Sequence, residues 1–345
     1  MYENLFVELK PQKFETLGAL EEVLRRKPEY RKQSFSGEKI KLNDDGQLSY
    51  NGSKSRMSLE GFRRMVTKIY KIPDPFAKRI PLDALQYNIT RLGKELQWPL
   101  CLIFNEDGLI VNAVEDELKS VKSLPLLSSL EGHNIRSISY SDERLDIQTT
   151  NPLWKQDIEP RVGDITGCGV NFVNSETGFA TPRAETLLWT LVCSNGAILS
   201  KRFGGFKINL RGKDIDPESI SRTFQYKLEK MIKQADSIPE KLCSLNGKKM
   251  TAKIGYSVLR SAAKLVGNDV IVDKFDMEEE DYSNLRHMAK LEETKDNEVD
   301  LDAYELYYGI TELANSYYGH TRRRLQKIGG SFLELELAEV VGDEN

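Results

Sequence analysis

The sequence has few of the residues that build disulfide frameworks and metal sites. Its 345 residues include 4 cysteines and 3 histidines, and neither type occurs in close pairs. Zinc sites need Cys and His ligands at short spacing, and small secreted proteins need denser cysteines than these. The sequence therefore predicts no metal site and favours a cytoplasmic protein with reduced thiols. A site assembled from residues distant in sequence is left open.

Long apolar runs are also missing. No run approaches the roughly 18–20 residues that cross a bilayer, and no basic segment followed by an apolar stretch begins the sequence. We therefore expect no membrane partner and no secretory signal. At 39% hydrophobic and 30% charged residues, the chain can bury a core beneath a well-solvated surface.

The sequence contains no recognisable nucleotide-binding motif. A P-loop is absent, and Gly167-Cys168-Gly169 lacks the third glycine of a dinucleotide fingerprint. The sequence therefore predicts no cofactor and no catalytic residue. Glu176 and Cys193 are the candidates for an alternative enzymatic function, although a glutamate in a turn and a cysteine in an apolar strand are more often structural.

Two kinds of periodicity divide the chain. Apolar residues at helical spacing predict helices before residue 98, and Ser58 is placed to cap one of them. Alternation with a period of two then predicts several short strands separated by turns, with hairpins around residues 100–114 and 135–149. After these strands, Asp216-Pro217-Glu218 predicts the start of a helix, and a long helix is predicted over residues 301–326. Strands followed by helices are typical of an α+β fold, here a mostly antiparallel sheet with packed helices and helical N-terminal and C-terminal parts. The predicted division is an N-terminal extension with a flexible loop, a helical pair, an antiparallel sheet plus helix core, an acidic linker, and a C-terminal helix with a tail, at residues 1–56, 57–97, 98–268, 269–300 and 301–345.

The net charge of −4 conceals an asymmetry along the chain. Residues 183–260 contain 15 Lys and Arg against 7 Asp and Glu, an excess of 8 positive charges. Residues 267–302 contain 4 against 13, an excess of 9 negative charges. This pattern predicts a surface that faces a polyanion beside an acidic flank, unless the two segments neutralise each other in the fold.

The basic segment is centred on residues 201–207, with the sequence Lys-Arg-Phe-Gly-Gly-Phe-Lys. Lys and Arg neutralise phosphates, glycines allow a close approach of the backbone, and Phe rings stack on unpaired bases. Alternatively, the Phe side chains belong to the core and the cations are ordinary surface residues. The predicted nucleic-acid-binding residues are Arg202, Phe203, Phe206, Lys207, Arg211, Lys213, Lys227 and Lys230.

A further basic run, Arg322-Arg323-Arg324, lies near the end of the predicted C-terminal helix. Cations at the end of a helix complement the negative end of its dipole. This run therefore needs no phosphate to explain it.

Two short motifs carry a family resemblance. They are Asn174-Ser175-Glu176-Thr177-Gly178 and Leu191-Val192-Cys193-Ser194-Asn195-Gly196, with a predicted turn at the final Asn-Gly pair. Together they resemble the phage- and plasmid-borne family known as domain of unknown function 932. The proline-flanked segment 72–81 and the tyrosine-rich segment 304–315 resemble the same family, so the likeness covers roughly residues 60–330. The motif residues are Asn174, Ser175, Glu176, Gly178, Cys193, Asn195 and Gly196.

The resemblance implies a protein of a mobile element, and a remote similarity of that family to phage single-strand annealing recombinases agrees with the basic segment. We therefore predict a nucleic-acid-binding accessory protein of a phage, plasmid or other mobile element. Its expected partners are single-stranded DNA, which it binds or anneals without catalysis, and further copies of itself in a homo-oligomer. Two alternatives stay open: a module that binds a host defence or replication protein, and a metal-dependent nuclease or hydrolase.

Overall fold

The predicted α+β fold is confirmed, with helices packed on antiparallel sheets. The structure is a computed structural model that describes residues 2–115, 120–150, 166–190, 195–198, 205–208, 216–234, 242, 244–289, 298–317 and 319–342. The strands are β1 (Gln12–Phe14), β2 (Arg31–Phe35), β3 (Ile40–Leu42), β4 (Leu48–Tyr50), β5 (Ser53–Ser55), β6 (Leu100–Phe104), β7 (Ile110–Glu115), β8 (Asn134–Tyr140), β9 (Leu145–Thr150), β10 (Thr166–Asn174), β11 (Arg183–Thr190), β12 (Asn195–Ile198), β13 (Phe206–Lys207), β14 (Lys249–Thr251) and β15 (Glu298–Asp302). The helices are α1 (Leu17–Arg26), α2 (Leu59–Arg64), α3 (Asp74–Ala77), α4 (Leu82–Glu95), α5 (Leu124–Leu127), α6 (Pro217–Gln234), α7 (Ala252–Val266), α8 (Asn268–Lys274), α9 (Glu279–Met288), α10 (Ala303–Leu313) and α11 (Gly319–Gly342).

The largest sheet has seven strands. Six follow the order β1-β8-β9-β10-β11-β12, and β13 pairs with β11 on the same side as β12. All of these pairings are antiparallel. The hairpins predicted around residues 100–114 and 135–149 are confirmed, but the first of them, β6-β7, pairs with β2 in a separate three-stranded sheet.

The N-terminal segment is part of a core, which differs from the extension with a flexible loop that we predicted. Strands β3, β4 and β5 form a sheet of their own, with Ile40 and Leu48 fully buried. These side chains pack in one cluster with Phe62 and Phe104. The cluster therefore includes residues on both sides of the boundary predicted at residue 98. Apolar residues alternate along β3 and β4, which gives this short sheet one apolar face for the core.

A second core covers one face of the seven-stranded sheet. Helices α1, α5 and α6 pack there, and the ring of Phe224 in α6 lies 5.4 Å from that of Phe172 in β10. Helix α6 begins where the sequence predicts, since a carboxylate oxygen of Asp216 accepts the backbone N–H of Ser219 at 2.9 Å. This helix therefore lies on the apolar face of the sheet.

The acidic segment differs from the linker that we predicted. Its described residues form α8 and α9, which bury Ile271 and Leu285 in a C-terminal core. Their carboxylates lie between apolar residues at helical spacing, so one side of each helix packs while the other meets solvent. The single helix predicted over residues 301–326 is two helices, α10 and α11, which are separated at Ser316–Tyr317.

None of the helices in the described part of the chain combines the length and the apolar character needed to cross a membrane.

Candidate nucleic-acid interface

One face of the seven-stranded sheet is polar. Because neighbouring residues of a strand point to opposite faces, Ile147 packs in the core beneath α6, whereas Asp146 and Gln148 point away from it. The same alternation in β11 separates buried Ala184 from Glu185. The side chains of this surface, which we call the polar face, are Arg144, Asp146, Gln148, Asn171, Arg183 and Glu185.

Helix α11 crosses the polar face. Its residue Leu325 is fully buried in the C-terminal core, which directs Arg323, Gln326 and Lys327 towards the sheet. The side-chain amide of Gln148 donates to Oε1 of Gln326 at 3.3 Å. The helix thus supplies cations to a surface whose residues are 138 or more positions away along the chain.

The run Arg322-Arg323-Arg324 lies near the beginning of α11, so the prediction of cations at a helix end is wrong. The positive end of the helix dipole disfavours cations at this position. Of the three, Arg323 is buried, with 8% of its surface exposed, whereas Arg324 is exposed. A buried guanidinium at this end of a helix requires anionic partners.

Asp146 supplies the first of these partners. Arg323 donates to its Oδ1 atom at 3.2 Å, and Arg144 donates to the same oxygen. One carboxylate therefore links a residue of the β8–β9 turn to a residue of α11. The four cations gathered here, which we call the cationic cluster, are Arg144, Arg183, Arg323 and Lys327.

Glu185 supplies the second partner and accepts from three side chains. Arg323 and Asn171 both donate to Oε2, the latter at 3.0 Å, and Lys327 donates to Oε1 at 2.8 Å. Nε of Arg183 lies 3.8 Å from Oε1. With four cationic side chains on two carboxylates, the network retains two positive charges.

The charges of the network shift each other's pKa. Burial acts to raise the pKa of Glu185, but Arg323, Lys327 and Arg183 outweigh it, and the pKa lies below its usual range. Burial and the neighbouring Arg144 lower the pKa of Arg323 to about 10, although Glu185 opposes this. Burial is the largest of these causes, so the lowered pKa of Arg323 chiefly reflects how little of the guanidinium meets solvent.

Lys207, a predicted binding residue, extends the polar face. It lies directly opposite Arg183 in the pairing of β13 with β11, and residues opposite each other point to the same face. The side chain of Lys207 is exposed. Phe206 points to the other face, where its ring is half-buried and lies 4.9 Å from that of Phe224.

The predicted cations of α6 lie beyond this edge of the sheet. Nζ of Lys227 is 5.9 Å from the centroid of the Phe206 ring, and Lys230 is exposed. Tyr226, which directly precedes Lys227 on α6, is also exposed, by 68%. Strand β13 thus separates two positive surfaces, with Lys207 on one side and Lys227 on the other. Four other predicted residues lie outside the described part of the chain: Arg202, Phe203, Arg211 and Lys213.

The segment Asn174–Gly178, the first of the two motifs noted in the sequence, forms a loop at the end of the sheet. The amide of Asn174 donates to the Val121 carbonyl at 2.9 Å, and Oγ of Ser175 donates to the Glu143 carbonyl at 2.6 Å. The backbone carbonyl of Gly178 accepts from Arg64 at 2.8 Å. The loop therefore connects the β8–β9 turn to the N-terminal core. Its polar side chains form the hydrogen bonds that hold this junction together.

Of the two candidates for catalysis, only Glu176 lies among the described residues. Glu176 accepts the backbone N–H of Ser123 at 2.8 Å, and Cys193 lies outside those residues. Asn195 and Gly196, predicted to form a turn, begin β12 and pair with β11 instead. Within the part of the chain that the structure describes, no group of His, Cys, Asp and Glu side chains could hold a metal ion.

Comparison with known proteins adds no relative: no family model, no curated protein and no solved structure matches this chain. The resemblance described above therefore stays a prediction.

Sequence reasoning missed most of the cationic cluster. Alternating polar residues in β9 and β11, such as Asp146 with Gln148 and Arg183 with Glu185, are a signal of a polar sheet face. Their pairing with Arg323 has no counterpart in the sequence, because it depends on where α11 crosses the sheet.

Proposed function

We propose that this protein binds nucleic acid in single-stranded form, through the polar face and the adjoining edge of the sheet. The observation that carries the proposal is the excess of cations over carboxylates in the cationic cluster, continued by exposed Lys207. Phosphate contacts by Lys and Arg supply most of the affinity for nucleic acid. Three of the four cluster side chains are between 22% and 44% exposed, so a ligand can reach them.

A single strand is favoured because the positive surface turns around an edge. From Lys207 it continues past Phe206 to Lys227 and exposed Tyr226. A duplex has a persistence length of about 150 base pairs and resists such a turn, whereas a single strand follows it easily. An exposed tyrosine beside lysines also offers a ring on which an unpaired base can stack.

Fluorescence anisotropy with a labelled oligothymidylate and its duplex, over a series of salt concentrations, tests this function. The single strand should bind more tightly than the duplex, and its log affinity should fall linearly with log salt. Arg183→Gln combined with Lys207→Gln should reduce the slope by about 1.4, since each phosphate contact contributes about 0.7 for single strands.

The matched control is Arg91→Gln combined with Lys94→Gln, which removes two exposed cations from α4 in the N-terminal core. This control should leave the slope unchanged. Failure of the wild-type protein to bind either probe at low salt would refute the proposed function, and equal flattening by the control would refute the assignment to the polar face.

A further inference from the structure

Three guanidinium groups of the polar face converge on two carboxylates. Arg144 and Arg323 both donate to one oxygen of Asp146. Arg323 also donates to Glu185, and Arg183 forms an ion pair with the same glutamate. The carboxylates hold the side chains in place without neutralising them. A fixed group of arginines with surplus positive charge is suited to a further anion.

The cluster also has hydrogen-bond donors that the described residues leave unused. The buried Nε atoms of Arg144 and Arg183 have no hydrogen-bond partner within the described ranges. A buried donor without an acceptor is unfavourable. Both side chains are partly exposed, by 22% and 25%, so an oxyanion from solvent can reach the outer part of each side chain, while the Nε atoms themselves are buried.

We propose that Arg144, Arg183 and Arg323 form a subsite for one backbone phosphate of the bound strand, an inference that rests on the proposed function. The planar guanidinium fork presents paired N–H groups that match two oxygens of a phosphate. Asp146 and Glu185 act as positioning residues, because they orient the three forks. A phosphate at the solvent-facing side of the cluster adds the negative charge that the two carboxylates do not supply.

The electrostatics of Arg323 agree with this assignment. Burial and the nearby Arg144 lower its pKa to about 10, so a second anion beside the cluster relieves the repulsion between the guanidinium groups. A lysine in place of Arg144 keeps the charge and loses the fork. This difference separates a built phosphate site from a general attraction of opposite charges.

Nuclear magnetic resonance of arginine Nε–H groups in the full chain tests the subsite. Sodium phosphate is titrated into the protein, and sodium chloride at equal ionic strength is titrated into a second sample as the control. Oligothymidylate is the second probe. Phosphate should shift the signals of Arg144 and Arg183, and chloride should not. Arg144→Lys should weaken the phosphate response about tenfold, the effect of losing one hydrogen bond to a charged group.

Arg91→Lys is the control, since Arg91 is 67% exposed on α4 and pairs only loosely with Glu95 at 4.0 Å. It should leave the phosphate response unchanged. Circular dichroism establishes that each variant is folded, and Arg183→Lys replaces Arg144→Lys if the latter is not. An oligonucleotide with uncharged methylphosphonate linkages should fail to produce the shifts that the phosphodiester strand produces.

The outcomes separate the two proposals. If the oligonucleotide binds while phosphate acts no differently from chloride, the subsite is refuted and nucleic-acid binding stands. If phosphate shifts the signals but no oligonucleotide binds, the proposed function is refuted, together with the assignment of the ligand as a backbone phosphate. Equal weakening by Arg144→Lys and Arg91→Lys also refutes the subsite.

Discussion

The two positive surfaces on either side of β13 are held in opposite ways. On the polar face, Arg323 is buried and bound by two carboxylates. On α6, Lys230 is exposed and has no ion pair within the described part of the chain, and the pair of Arg222 with Glu218 spans 3.7 Å between exposed side chains. Similar cations are thus fixed in place by carboxylates on one surface and extend into solvent on the other.

The first prediction concerns stability and has the largest expected effect. Arg323→Met should lower the free energy of unfolding by about 3 kcal/mol or more, because it leaves two carboxylates beneath α11 without their main partner. Lys230→Met on α6 should change it by less than about 0.5 kcal/mol. Urea unfolding of both variants measures the difference, and similar losses in the two would contradict the distinction between the surfaces.

The second prediction tests whether cationic partners, and not burial alone, determine the direction in which the pKa of a carboxylate shifts in this region. Glu143 lies beside Arg144, and burial, with Glu60, Asp142 and Glu8 nearby, raises its pKa to about 7, opposite to the shift of Glu185. The folded state therefore holds this proton more strongly than the unfolded state does. Stability should fall as the pH rises from about 4.5 to 7.

Glu143→Gln removes this titration. At pH 8 the variant should be more stable than the wild type, by up to about 3 kcal/mol, since one pKa unit corresponds to about 1.4 kcal/mol. At pH 4, where the wild-type side chain is protonated in both states, the two should be equal. Thermal unfolding across this pH range provides the measurement, and a constant difference at all pH values would disprove the assignment.

The third prediction concerns binding without a change in stability. Lys227→Gln combined with Lys230→Gln should reduce the salt slope for single-stranded DNA by about 1.4 while changing stability by less than about 0.5 kcal/mol. Anisotropy and urea unfolding measure the two quantities. An unchanged slope would mean that the strand does not turn around β13, and binding would then be confined to the polar face.

Much of the local structure was predictable from the sequence. Asp216 before Pro217 defined the beginning of α6, and Ser58 accepts the Gly61 N–H at 3.0 Å at the start of α2, as its position predicts. Both are short-range hydrogen bonds, which depend on a few consecutive residues. The acidic segment was misread because its charges obscured Ile271 and Leu285, whose spacing is helical.

The candidate site was predictable only in part. Lys207, Lys227 and Lys230 were found from the local density of positive charge, and Phe206 was assigned to stacking, whereas its ring packs against Phe224. The difference arises because alternate residues of a strand point to opposite faces. Charge density along a chain does not contain that information until the register of the strand is known.

By itself, the amino-acid sequence determined the class of the fold, the positions of its hairpins and the beginnings of several helices, because these follow from periodicity and from contacts between near neighbours. Only the tertiary structure decided which charges meet. Arg323 reaches Asp146 and Glu185 because α11 crosses one particular face of the sheet, anchored there by Leu325. Ion pairs of this kind depend on the packing of distant elements, which no local pattern encodes.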